Sequence, residues 1–148
     1  MATWQFDVYV VPQDSPIPTE SDDGMELPRI PARETLHAQE TLTKVFGLPW
    51  LMLDNWLVYG DERGTRVDML FSDDDMVEVS VRLDANAPNE SAVASLCTFA
   101  NQLKCAFFSP ELRQFITSQP ELVKLALSKS RAAKYVSNPR GFIADLTR

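Results

Sequence analysis

Two alternating runs, Arg66–Phe71 and Val77–Asp84, constrain the fold more than any other part of this sequence. In the first, Val67, Met69 and Phe71 alternate with Arg66, Asp68 and Leu70; in the second, Val77, Val79, Val81 and Leu83 alternate with Glu78, Ser80, Arg82 and Asp84. Directly opposed residues of an antiparallel pair point to one face, and a slip of one residue sends the whole apolar set to the other. Pairing Phe71 with Val77, Met69 with Val79 and Val67 with Val81 gathers all the apolar side chains together. A two-residue loop pairing Ser72 with Asp75 would instead place Met69 opposite Glu78. The loop is therefore expected to be odd, three or five residues long. In that register Arg82 lies opposite Arg66 and diagonal to Asp68, on an outer face expected to be polar and solvated.

The other elements follow from period and punctuation. Thr3–Val11 alternates Trp4, Phe6, Val8 and Val10 with polar residues, which predicts a half-buried strand ending at Pro12. Residues 12–32 hold five of the ten prolines and the run Glu20-Ser21-Asp22-Asp23, which predicts an extended, acidic surface arm burying little apolar area. Arg33–Phe46, with Leu36, Leu42, Val45 and Phe46, predicts a helix stopped by Gly47-Leu48-Pro49. Trp50–Leu53 reads as an apolar connector and Trp56–Tyr59 as a strand. Ala87-Pro88-Asn89-Glu90 opens the clearest helix, whose stripe is Val93, Leu96, Cys97, Ala100 and Leu103. Cys105–Phe108 reads as a short buried strand, followed by a weak strand or turn at Arg113–Ile116. Ser118-Gln119-Pro120-Glu121 has the form of a capping box, with Ser118 as N-cap of a helix running to about Val136. Asn138-Pro139 opens a last short helix with Phe142, Ile143 and Leu146. The order implies an α+β fold in one domain over 1–148, an antiparallel or mixed sheet of about four to five strands with helices packed mainly on one face.

Charge is divided along the chain. Residues 1–89 hold 17 Asp/Glu against 6 Lys/Arg, a balance of −11; residues 90–148 hold 4 against 8, a balance of +4. A surface this acidic repels nucleic acid and speeds encounter with basic partners. The basic residues Lys124, Lys129, Arg131, Lys134 and Arg140 begin on a helix beside an apolar stripe and read as a solvated helix face. The longest uncharged apolar stretch, Val45–Leu53, is far below the roughly 18 residues that span a bilayer. The first residues carry neither a basic start nor an apolar core of a secretory signal, so a cytoplasmic location is expected.

Little in the sequence points to catalysis. Asp73-Asp74-Asp75 lacks the alternate spacing, glycine and closing glutamate of a calcium loop, and reads as a soluble hairpin tip. His37 is the one histidine and Cys97 and Cys105 the only cysteines, too few ligands for a zinc site. The thiols read as free and buried, and His37 as an exposed imidazole. Neither a nucleophile elbow, a P-loop nor a Rossmann glycine fingerprint occurs. No cofactor and no metal are expected, and a binding module is favoured over an enzyme. Its contact residues are expected among the acids Asp22, Asp23, Asp61, Glu62, Asp73, Asp74 and Asp75 with Trp56 as an aromatic anchor, because interface hot spots are rich in Trp and Tyr while charges steer. Trp50 and Tyr59 are further candidate anchors. The partner is expected to be a protein with a basic surface, and the chain itself a monomer or dimer.

The opening strand Trp4–Val10, Gly60-Asp61-Glu62 leading into Arg66-Val67-Asp68, the strand Val79–Asp84, and the closing Ser130-Arg131-Ala132-Ala133-Lys134-Tyr135-Val136 with Pro139 and Phe142 resemble small acidic bacterial immunity proteins. That resemblance implies a protein that binds a cognate toxin and blocks its active site or assembly, with acids standing in for substrate phosphates. The order helix, three strands, helix, two strands, helix over Arg33–Val136 also looks like effector chaperones of type III secretion, from which the opening strand and proline arm depart.

Overall fold

The computed structural model describes residues 3–22, 24–87 and 89–141. Alternation at the start of the chain gives β1 (Gln5–Pro12), with Phe6, Val8 and Val10 buried on one face. The arm that follows has structure of its own. It folds back as a short ladder, β2 (Glu20–Ser21) against β3 (Gly24–Met25), then joins the main sheet as β4 (Ile30–Pro31), pairing Ile30 with Val77. Ile30 is buried in the core, so the arm, expected to bury little apolar area, contributes one core residue there.

A turn of 3-10 helix at Ala32–Thr35 leads into α1 (Ala38–Phe46). Gly47 closes α1 with φ 83°, a left-handed backbone that favours glycine. Leu36 falls between the turn and α1 and is exposed; Thr35, Ala38 and Leu42 are the residues that turn inward. Trp50–Leu53 is not a connector but β5, paired with β6 (Trp56–Gly60) through the tight turn Asp54-Asn55. A run without polar residues offered no alternation to mark it.

The hairpin forms in the inferred register: β7 (Arg66–Phe71) pairs with β8 (Met76–Asp84) through Phe71–Val77, Met69–Val79 and Val67–Val81. The Ser72 N–H donates to the Met76 carbonyl at 3.0 Å, so Asp73–Asp75 make the turn, with Asp75 at φ 60°. That left-handed position is one aspartate tolerates. Then come α2 (Glu90–Gln102), β9 (Cys105–Ser109), β10 (Gln114–Ile116), α3 (Pro120–Ser128) and α4 (Arg131–Ser137). Asn89 caps α2, its side-chain oxygen accepting from the Ala92 N–H at 3.1 Å.

Ser118 is not the N-cap of α3. It is buried and its hydroxyl donates to the Cys105 carbonyl at 2.7 Å, while α3 starts behind Gln119 with Pro120 in its first turn. The single helix expected to reach Val136 is two. The chain breaks at Lys129-Ser130, and the Ser130 hydroxyl both donates to the Leu127 carbonyl and accepts from the Ala133 N–H at 3.1 Å, restarting the helix. The helix expected to carry Phe142, Ile143 and Leu146 falls outside the described residues.

The main sheet is antiparallel in the order β10-β9-β1-β8-β7-β6-β5, with β4 beside the start of β8. It has eight strands rather than the expected four to five. The arm's β4 and the strand β5 were missing from the expectation, and the weak strand or turn at Arg113–Ile116 is the full edge strand β10. All four helices contribute to one core cluster with the sheet residues Phe6, Val8, Val10, Val67, Met69 and Val79, so the fold is α+β with its helices on that face. Four strands separate α1 from α2, where the chaperone pattern has three. Among the described residues, no helix is long and apolar enough to cross a membrane.

Candidate protein-interaction surface

The register assigns the candidate acids to opposite ends of the sheet. Strand β7 runs from the Asp61–Thr65 turn to the Asp73–Asp75 tip; at ~3.4 Å per residue its six residues separate those turns by about 17 Å. Asp61 and Glu62 therefore do not share a patch with Asp73, Asp74 and Asp75. Trp56 and the Asp54-Asn55 turn lie at the tip end, since β6 runs antiparallel to β7 and Trp56 pairs with Leu70. The arm leaves and rejoins the sheet there too: β1 ends, and β4 joins β8, at that end. Asp22 is exposed on the arm; Asp23 is outside the described residues.

The tip is tied down, which sequence gave no means of seeing. One Arg29 terminal nitrogen donates to the Ser72 hydroxyl at 2.9 Å and the other reaches Asp74 Oδ2 at 3.1 Å. The Asp75 carbonyl accepts from the Ala32 N–H at 2.8 Å, and the Asn55 carbonyl from the Phe71 N–H at 2.9 Å. The Ser72 hydroxyl, helped by the Arg29 guanidinium, holds the Asp74 carboxyl below the usual carboxylate range. Asp74 is thus partly neutralised within the chain. Asp22, Asp54 and Asp73 are exposed, and no hydrogen bond or ion pair falls on their carboxylates among the described residues.

At the other end, the Asp61 carboxylate accepts from the Arg63 N–H at 3.3 Å and serves its own turn. Gly60 enters that turn with φ 105°, and a Cβ there would come within 2.5 Å of the Thr65 carbonyl. Glycine is therefore required. The Glu62 carbonyl accepts from Arg66, while its side chain is exposed.

The second face of the sheet is not the solvated surface expected from the alternation. Arg66 is only 4% exposed. One terminal nitrogen donates to Asp68 Oδ2 at 3.0 Å and the other to the Glu62 carbonyl at 3.2 Å. Its Nε lies 2.9 Å from Asp68 Oδ1, near enough for Coulomb attraction but not aligned for a hydrogen bond. The Trp56 indole N–H donates to the same Asp68 Oδ2 at 2.9 Å. Trp56 is half-buried over this ion pair, which restricts it as a free anchor. Arg82, opposite Arg66, is separately held by Asp7 at 3.2 Å. Two cross-strand arginines coexist because each has its own carboxylate.

Apolar residues also occupy this face. Val11, Val58 and Phe108 are buried yet fall on the side opposite Val10, Tyr59 and Phe107, and the Phe108 and Phe115 rings are 5.4 Å apart. Runs in which both alternating sets are apolar, such as Val10-Val11 and Phe107-Phe108, were the available signal. Tyr59 is buried, with its hydroxyl donating to Gln39 Oε1 at 3.0 Å, so it is a core residue rather than an anchor. The Trp50 indole N–H donates to the Gly60 carbonyl at 2.9 Å.

Other groups with chemical potential are quiet. His37 is exposed with Nδ1 3.5 Å from Glu40 Oε2. Among the described residues, no three His, Cys, Asp or Glu side chains gather to hold a metal ion. Burial pushes the Cys97 thiol up to about 11 and the Cys105 thiol up to about 12, with smaller contributions from Glu121 and Glu34. Both are expected to resist a thiol reagent in the folded protein at pH 8 and to react at once after unfolding in denaturant, read as absorbance of the released thiolate. A raised thiol pKa also means that the unfolded chain releases its protons first as pH rises. Stability should therefore fall from about pH 9 upward and continue falling toward pH 11–12, as denaturant midpoints across that range will show.

Comparison of this chain with protein-family models, with curated proteins and with solved structures returns no match.

Proposed function

We propose that this chain is a cytoplasmic protein-binding module of the immunity type, which neutralises a toxin by presenting acids to a basic surface. The observation that carries this reading is the exposed acids Asp54 and Asp73, on neighbouring turns at the tip end of the sheet, and Asp22 on the arm, with no hydrogen bond or ion pair on their carboxylates among the described residues. The cations Lys124, Lys129, Arg131 and Lys134 belong instead to the chain around α3 and α4. Charges in this arrangement steer encounter and select partners, while affinity comes from what packs behind them. The module needs neither cofactor nor turnover: it acts by covering its partner.

A toxin that binds this chain should kill cells when expressed alone and be tolerated when the chain is co-expressed, and the two should co-purify as a stoichiometric folded complex. Reversing Asp22, Asp54 and Asp73 to lysine together should slow association at least tenfold at low salt and flatten its salt dependence, read by stopped-flow or surface resonance. Asp74 is left intact because Arg29 depends on it. Unchanged kinetics in the triple variant would remove the acidic tip from the interface. Failure of the chain to relieve toxicity of its co-purifying partner would remove the immunity reading.

A further inference from the structure

The two limbs of the arm, 16–19 and 26–29, line an open cleft of about 570 Å³ whose remaining wall is Glu78. That volume lies within the range of ordinary ligand sites. Its apolar lining is Pro16, Ile17 and Leu27 with neighbouring prolines, and its charged lining is Glu26, Glu78 and Arg29. Arg29 is engaged by Ser72 and Asp74. No hydrogen bond or ion pair falls on the Glu26 or Glu78 carboxylates among the described residues. Glu78 is half-buried on the second face of β8, and its charge contributes, after burial, to raising the Tyr9 hydroxyl pKa. Ile17, on the cleft wall, leaves 61% of its surface in water.

We propose that this cleft is a socket for a long cationic side chain, lysine or arginine, supplied by the protein partner. The inference rests on the binding-module reading and names what part of the partner the arm receives. A methylene stem covers Ile17, Leu27 and the prolines, as the stems of amphipathic cations do on apolar surfaces. The charged head then reaches two carboxylates that form no ion pair among the described residues, and charge-assisted hydrogen bonds there offset the desolvation of a half-buried Glu78. A neutral side chain of the same length satisfies the walls and leaves both carboxylates bare; an anion is repelled. The cleft exceeds one side chain in size, so main chain on either side of the cation also fits.

The test is an NMR titration of the whole chain with four probes: the N-acetyl N-methylamides of lysine, arginine and norleucine, and n-butylamine. The lysine and arginine probes should give saturating shifts at the Ile17, Thr19, Leu27 and Glu78 amides, and the norleucine probe none. The double variant E26Q/E78Q should weaken lysine-probe binding at least tenfold while keeping the unfolding midpoint, since neither carboxylate supports the fold. Equal shifts with norleucine, or undiminished binding by the double variant, overturn the socket. Butylamine binding as tightly as the lysine probe overturns assignment to a protein side chain in favour of a free amine. None of these readings needs the partner. A failed titration therefore overturns the socket alone, whereas failure to relieve toxicity overturns the immunity reading alone.

Discussion

Asp68→Ala is expected to lower the free energy of unfolding by about 3–5 kcal/mol, measured by urea denaturation, because it leaves a buried guanidinium without its carboxylate. Arg66 is 4% exposed, and apart from the Glu62 carbonyl its partners are the oxygens of Asp68. The same substitution removes the acceptor of the Trp56 indole, so intrinsic fluorescence should shift along with stability. Removing both charges is a different perturbation from removing one. Arg66→Met with Asp68→Leu should restore most of the loss, since a buried ion pair contributes little net stability over well-packed apolar residues. A loss below about 1 kcal/mol for Asp68→Ala would mean that water reaches Arg66 and that the pair is effectively a surface one.

Phe99→Ala in the middle of α2 should cost about 3–5 kcal/mol, through lost burial and the void left behind. Phe99 is fully buried and belongs to the core cluster in which α1, α2 and α3 meet the sheet. Leu122→Ala on α3, where a smaller side chain is 38% exposed, is the shallow comparison. It should change the midpoint by less than half as much in the same urea series. If Phe99→Ala proves equally mild, α2 must repack over the gap.

Most of the fold was legible where hydrophobic period and punctuation agree. The β7–β8 register followed from six apolar residues and the parity of a loop, and the α2 start from Ala87-Pro88-Asn89-Glu90 beside a clear stripe, though the cap itself, Asn89, was not singled out. Errors arose where a local motif met a tertiary competitor. Ser118 has the spacing of a cap, but the Cys105 carbonyl, brought beside it by β9, takes its hydroxyl instead. The Ser130 hydroxyl also donates to a carbonyl, that of Leu127, but it stands directly before α4, still accepts from the Ala133 N–H, and does restart a helix. Strand β5 is apolar at every position and carries no period, and β4 is two residues of a proline-rich segment that only pairing with Val77 makes a strand.

The candidate surface was less legible, because charge counts do not say which acids find partners. Asp73, Asp74 and Asp75 are indistinguishable in sequence, yet Arg29, 45 positions from Asp74, singles out the middle one. Alternation predicted that Arg66 would face water. It does face away from the main core, but Trp56 and Asp68 from neighbouring positions close over it. Residue type decided the face and cross-strand neighbours decided the exposure.

The position of β1 has a kinetic consequence. The meander β5–β8 and the hairpin β9–β10 each form from neighbours in sequence, but β1 joins the two, antiparallel to both. Its ion pair from Asp7 to Arg82 closes a loop of 75 positions. Ordering so long a loop precedes any return from the contacts it makes, and chains that depend on such closures fold slowly. Until β1 inserts, β8 and β9 each expose an open edge that any extended segment can occupy, including β1 from a second molecule. On the ribosome β1 emerges well before either neighbour, so it must wait, unpaired, for the strands that will flank it.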